Sequence, residues 1–173
     1  MSAPPNVEPL AVGEVSADRL DRITAPFVCL QLPGVSLEPA GASALTGFLL
    51  AHPDYAAAGP RLRNRVGDVV TTWTTSTARG LLGRVDRRLS RLASAPLASR
   101  DAQVLSCAAL VVDTEELLAT LVDAEANANG RPLCWRLAER WRDDARRLRW
   151  CADVYGTWDT DARVAADLDA GQP

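Results

Sequence analysis

The spacing of apolar residues along the chain reads mostly at the helical period. Residues 1–13 are Pro-rich and polar and are expected to be disordered. Ser16 is placed to cap a short helix over ADRLDRI, which must end before Pro26. The run FVCLQL (27–32) fits a strand by composition, but an extended segment or part of a helix fits as well. A helix is predicted from about Ser36 to Ala51, carrying Leu45, Phe48, Leu49 and Leu50 and stopping at His52-Pro53. Pro60 opens a segment reaching Ala93, in which steps of about 100° bring Leu62, Val66, Val69, Val70, Trp73 and Thr77 to one face. The later set Leu82, Val85, Leu89 and Leu92 is rotated from it. That predicts two helices, or one kinked helix, with the bend near Ser76–Gly83.

Residues 100–126, with Ser99 as cap, are apolar around most of a helical circumference. Val104, Leu105, Cys107, Leu110, Val111, Val112, Leu117, Leu118, Leu121 and Val122 leave only a narrow polar strip of Asp113, Glu116 and Thr120. A helix apolar nearly all round is a buried one. Gly130 suits its C-terminal stop. Pro132 begins a further helix to about Tyr155, striped by Leu133, Cys134, Leu137, Ala138, Trp141, Ala145, Leu148, Ala152 and Tyr155. Gly156 breaks it, and Trp158 starts a short terminal helix with Val164 and Leu168. The expected fold class is all-α: six to eight helices around a buried central helix at about 100–126. A single helical domain over 14–170 follows.

Charge agrees with that packing. Residues 59–100 carry nine Arg against Asp68 and Asp86, residues 101–129 carry six acids and no base, and residues 130–150 carry seven Arg against three acids. An acidic segment between two basic ones is what neighbouring helices would use to complement each other. All 19 basic residues are arginine, which suggests the coding bias of a GC-rich bacterial or viral genome. No window offers the roughly 18 uncharged apolar residues of a membrane span, and no secretory signal is visible at the start. The expected location is cytoplasmic, in the host cell if the protein is viral.

Four cysteines, Cys29, Cys107, Cys134 and Cys151, form no C-x-x-C pair. On one predicted helix Cys134 and Cys151 would stand roughly 25 Å apart, too far to bridge, so free thiols in a reducing compartment are expected. The single histidine, His52, precedes a proline and reads as a loop residue rather than a base. No phosphate loop, catalytic triad, zinc spacing or Glu-x-x-His pair appears. Metal, cofactor and catalytic residues are therefore expected to be absent.

Glu115 falls within the apolar arc of the central helix, where an ion pair with a flanking arginine, or a functional acid, would account for it. RWRDDARRLRW (140–150) scatters its arginines around the helix and interrupts them with Asp143 and Asp144. In a chain of net charge −3 this argues against nucleic acid. Trp135 and Trp150 lie off the stripe of their helix, so either terminal segments cover them or they mark a partner surface.

DVYGTWDTDARVAADL (153–168) resembles the second homology motif of the B-cell lymphoma 2 family of apoptosis regulators, through Gly156, Trp158, Asp159 and Thr160. RLRNRVGDVV (61–70) is similar to that family's death motif, through Val66, Gly67, Asp68 and Val70. The pattern departs where Arg63 replaces the motif leucine, near Arg100–Val104 where the family's arginine motif is not recognisable, and after Leu168, which no membrane anchor follows. The resemblance implies a non-catalytic protein, viral in one reading, that inhibits host apoptosis or inflammatory signalling. Its groove would take an amphipathic partner helix. The partner-binding residues on this reading are Val66, Val70, Trp73, Glu115, Trp135, Trp150 and Trp158, with a homodimer as a further arrangement. The alternatives are a bacterial helical accessory or regulatory protein acting as a dimer or adaptor, and a small all-α enzyme.

Overall fold

Apolar runs that a central helix would bury are instead built as strands covered on both faces. The computed structural model describes residues 6–70, 72–74, 99–126, 132–162 and 164–170. Its strands are β1 (Val7–Ala11), β2 (Phe27–Gln31), β3 (Val35–Leu37), β4 (Tyr55–Arg63), β5 (Val69–Val70), β6 (Trp73–Thr74), β7 (Arg100–Ala102), β8 (Val104–Leu105), β9 (Ala109–Asp113) and β10 (Arg147–Trp158). The helices are α1 (Ala17–Leu20), α2 (Pro39–Ala51), α3 (Thr114–Ala126), α4 (Leu133–Asp143) and α5 (Ala166–Ala170).

Eight strands form one mixed sheet. Its path is β1-β2-β9-β4-β10-β3, with β5 added to β4 and β7 added to β10, while β6 and β8 pair separately. The β1–β2 and β4–β10 pairs are parallel, and the others are antiparallel. One face of the sheet carries the larger core, where Leu20, Leu117, Leu121, Leu137, Trp141 and Leu168 of the helices meet Val28, Leu30, Leu110, Val112 and Trp150. On the opposite face α2 seats Leu45 and Leu49 against Phe27, Cys29, Tyr55, Ala58, Val111 and Cys151.

The all-α class is therefore corrected to mixed α/β, with five helices among the described residues. Residues 100–126 are not one helix but β7, β8, β9 and then α3. A strand in mid-sheet is apolar on both faces, and a short run of that kind cannot be told from a buried helix by period alone. The change from strand to helix falls at Asp113, whose carboxylate accepts the backbone N–H groups of Glu115 (2.9 Å) and Glu116 (3.0 Å) as an N-cap. Ser99 caps nothing; its hydroxyl donates to Asp153 at 2.8 Å and accepts the Ala152 N–H at 2.9 Å.

As far as it is described, the segment opened by Pro60 is the end of β4, then β5 and β6, rather than a helix, and Pro60 itself lies within β4. A proline there lacks a ladder donor, and it is accommodated because the β4–β10 register shifts between Cys151 and Tyr155, immediately beyond its partner. The predicted bend at Ser76–Gly83, the apolar set Leu82 to Leu92, Thr77 and the stop at Gly130 lie outside the described residues. The helix after Pro132 ends at Asp143 instead of Tyr155, because the chain turns through Asp144 and Ala145 into β10. Cys151 is thus on a strand and not on the helix of Cys134. Gly156 is no helix breaker: a Cβ there would lie 2.8 Å from Leu62 Cδ2 and 2.9 Å from the Ser36 carbonyl oxygen. Ser16 does cap α1, accepting the Arg19 N–H at 3.2 Å.

The likeness to the B-cell lymphoma 2 family does not survive this architecture. Gly67 sits in the β4–β5 turn at φ +86, not on a helix, and Trp158 closes β10 rather than opening a helix. Without a helical bundle or its groove, the proposed roles in apoptosis or host inflammatory signalling fall. The helical adaptor and the all-α enzyme fall with them.

Candidate functional site

Charge is distributed very unevenly over the sheet. Between Arg22 and Asp54 the chain holds only one charged residue, Glu38, and this stretch supplies β2, β3 and α2. Parallel pairing of β1 with β2 sets Pro9 opposite Cys29 and Ala11 opposite Gln31. The N-terminal half of α2 stands over this edge and leaves a partly open cleft of about 420 Å³. Val7 and Pro9 of β1, Cys29 and Gln31 of β2 and Leu37 of β3 form its floor and side. Pro39, Ala42 and Ser43 of α2 line it from above, and Asn6 stands at the entrance to β1.

None of these nine residues is charged. Their polar atoms are two amides, a hydroxyl and a thiol, set among aliphatic and proline carbons. The Gln31 amide donates to Cys29 Sγ at 3.7 Å. Burial pushes the Cys29 thiol up to about 11, and the Gln31 amide and a Leu110 backbone contact offset this only in part. At neutral pH that sulfur is a thiol and not a thiolate, so it is a poor nucleophile. The arrangement favours holding a molecule over attacking one.

A second polar cluster lies where β4 and β10 begin. The Tyr55 hydroxyl donates to Asp101 Oδ1 at 2.8 Å, and Arg149 reaches the same oxygen at 3.0 Å. Arg147 bridges Asp101 and Asp54, with its guanidinium 4.5 Å from the centre of the Tyr55 ring. Hydrogen bonds from Arg147, Tyr55 and Arg149 outweigh burial and hold the Asp101 carboxyl below the usual range. Two further arginines of residues 140–150 behave similarly: Arg140 pairs with Asp144 at 3.1 Å and Arg146 with Glu116 at 2.9 Å. Ion pairs formed within the protein thus absorb much of the local positive charge. Among the described residues no group of three or more His, Cys, Asp and Glu is placed to hold a metal ion. No described helix is long and apolar enough to cross a membrane.

The residues singled out in the sequence do not converge on one surface. Trp73 and Trp150 meet, ring centres 5.5 Å apart, and both are buried. Val70 is buried beside Leu62, in a small cluster that half-buried Trp158 also joins; the Trp158 indole donates to the Pro33 carbonyl at 3.1 Å. Trp135 is buried in the first turn of α4, and its indole donates to the Asp167 carbonyl at 3.2 Å. Val66, 71% exposed, stands alone at the β4–β5 turn. Glu115 is exposed in the first turn of α3, and the ion pair anticipated for it is made by Glu116 instead.

The cleft residues carry no motif and escape a search for reactive side chains. The signal that points to them is negative: a long stretch almost free of charge in a chain that is 24% charged. No protein-family model matches the chain, and no curated protein matches it.

Proposed function

We propose that the protein is a non-enzymatic binding protein that takes up a small, uncharged, largely apolar ligand in the cleft between α2 and the β1–β2 edge. The observation that carries this reading is the lining itself: about 420 Å³ with no charged side chain among its described lining residues. Pockets of roughly 300–1,000 Å³ with a few polar groups on an apolar wall are the usual form of small-molecule sites. A charged ligand would lose its hydration and meet no counter-charge, which is costly. A neutral one can satisfy Gln31, Ser43 and Asn6 with one or two hydrogen bonds while its apolar body displaces water from Val7, Leu37 and Ala42.

Amide chemical shifts followed during titration with neutral fragments test the reading. Neutral fragments should move the signals of Cys29, Gln31, Ala42 and Ser43. Carboxylate or ammonium analogues of the same shape should bind at least about tenfold more weakly, a difference of about 1.4 kcal/mol. Ala42→Trp fills the cleft and should abolish the shifts while the remaining spectrum is preserved. Neutral fragments that leave these four amides unmoved, or that bind equally well to Ala42→Trp, would overturn it.

A further inference from the structure

One side chain on the floor of the cleft has its hydrogen-bonding capacity only partly used. Cys29 and Gln31 alternate with Leu30 along β2, so both stand on the α2 face of the sheet. The Cys29 S–H is directed to the Leu30 carbonyl at 3.9 Å, which leaves the sulfur lone pairs to accept. The Gln31 amide nitrogen reaches that sulfur at 3.7 Å. With the thiol proton used elsewhere, the amide turns its nitrogen, and not its oxygen, toward Cys29.

A carboxamide carries two N–H donors and one carbonyl acceptor in a single plane. Because the cysteine side chain is the shorter, Sγ sits closer to the strand backbone than the Gln31 nitrogen does. The N–H that reaches it therefore points back toward the strand, on the Cγ side. The other N–H lies beside Oε1, on the same edge of the amide. Among the described residues neither this N–H nor Oε1 has a hydrogen-bond partner.

The surroundings raise the demand on that edge. Val7, Pro9 and Leu37 offer carbon surface, and the Ser43 hydroxyl lies on the α2 wall above. A hydroxyl holds donor and acceptor on one atom and cannot tell two neighbouring ligand groups apart. The amide edge can. Once an apolar body displaces water from the cleft, an unpaired N–H and C=O are costly, so the ligand must supply partners for both.

We propose that Gln31 is the specificity-determining residue of the cleft and reads a cis-amide edge, a C=O and an N–H side by side, as in a lactam or cyclic imide. The proposal rests on the cleft being a small-molecule site. The Gln31 N–H donates to the ligand carbonyl, and the ligand N–H donates to Gln31 Oε1. Open-chain secondary amides do not fit, because their trans bond turns N–H and C=O to opposite sides. Ketones, ethers and esters accept from the N–H but leave Oε1 without a donor.

Three rings of matched size test this: ε-caprolactam, its N-methyl derivative and cycloheptanone. Each is titrated into the native protein and into Gln31→Met while side-chain and backbone amide shifts are followed. Methionine keeps the length of the side chain and removes its donor and acceptor. The affinity ratio of caprolactam to cycloheptanone should fall about tenfold or more in Gln31→Met, as expected for two lost hydrogen bonds. In the native protein alone, N-methylation should weaken caprolactam by about fivefold or more, a comparison that holds even if Gln31→Met does not fold. Of the two Gln31 side-chain N–H signals, caprolactam should move one and leave the one facing Cys29 in place. Equal binding of caprolactam and its N-methyl derivative, or an unchanged ratio in Gln31→Met, overturns the role of Gln31 and leaves the cleft as a site. Silence from caprolactam while other neutral fragments bind does the same. Silence from every neutral fragment at Cys29, Gln31, Ala42 and Ser43 overturns the cleft itself, and this inference with it.

Discussion

At the scale of single residues, Asp101 shows how the surface charge is organised. Burial alone would raise its carboxyl, but Arg147, Tyr55 and Arg149 donate to it and depress it overall. A depressed carboxylate contributes stability that is present above its unfolded value of about 3.9 and is lost as pH falls through the folded value. Urea unfolding of the native protein and of Asp101→Asn, compared at pH 6 and pH 3, should therefore converge at the lower pH. The cluster is solvent-exposed, so the difference at pH 6 should stay below about 1 kcal/mol. A gap that widens on acidification would contradict this assignment. Little of this was legible from sequence, because Asp101 and its partners Tyr55 and Arg147 are about 46 positions apart. Ser16, by contrast, was readable because its acceptor role is local.

At the scale of elements, the turn from α4 into β10 carries identifiable strain. Ala145 sits at φ +57, the only non-glycine residue at positive φ among those described. A Cβ in that region costs about 1–2 kcal/mol, part of which a glycine returns through its freer unfolded chain. Ala145→Gly should consequently raise the urea midpoint with an unchanged m-value, a net gain of about 0.5–1 kcal/mol. An unchanged or lowered midpoint would show that the turn is not strained there. The same turn explains an error of reading. Leu148, Ala152 and Tyr155 fit a helical stripe, yet in β10 Leu148, Trp150 and Ala152 alternate with Arg147, Arg149 and Cys151 across the sheet. Both periods fit a stretch of this length, and only the neighbour it pairs with decides between them.

At the scale of the whole molecule, the sheet is closed by distant partners. β10 pairs in parallel with β4, bringing Arg147 to Tyr55, and β2 pairs with β9, bringing Phe27 to Asp113. The central strands cannot be completed until most of the chain has condensed, and such non-local pairing is slow. Refolding from denaturant, followed by fluorescence of the buried Trp135, Trp141 and Trp150, should take milliseconds to seconds. Microsecond refolding would mean that local helix contacts dominate after all. The cleft depends on the same distant pairing, being assembled from β1, β2, β3 and the start of α2.

What the chain dictates by itself is local: the Ser16 cap, the α2 helix stopped by His52-Pro53, a helix start after Pro132, and the segments too apolar to lie in water. Caps and proline act through the nearest few residues, so their outcome needs no knowledge of the fold. Tertiary structure decided whether the apolar runs at 55–63, 109–113 and 147–158 became helix or strand. A run buried on both sides satisfies either geometry, and the choice passes to the hydrogen bonds that neighbouring strands supply.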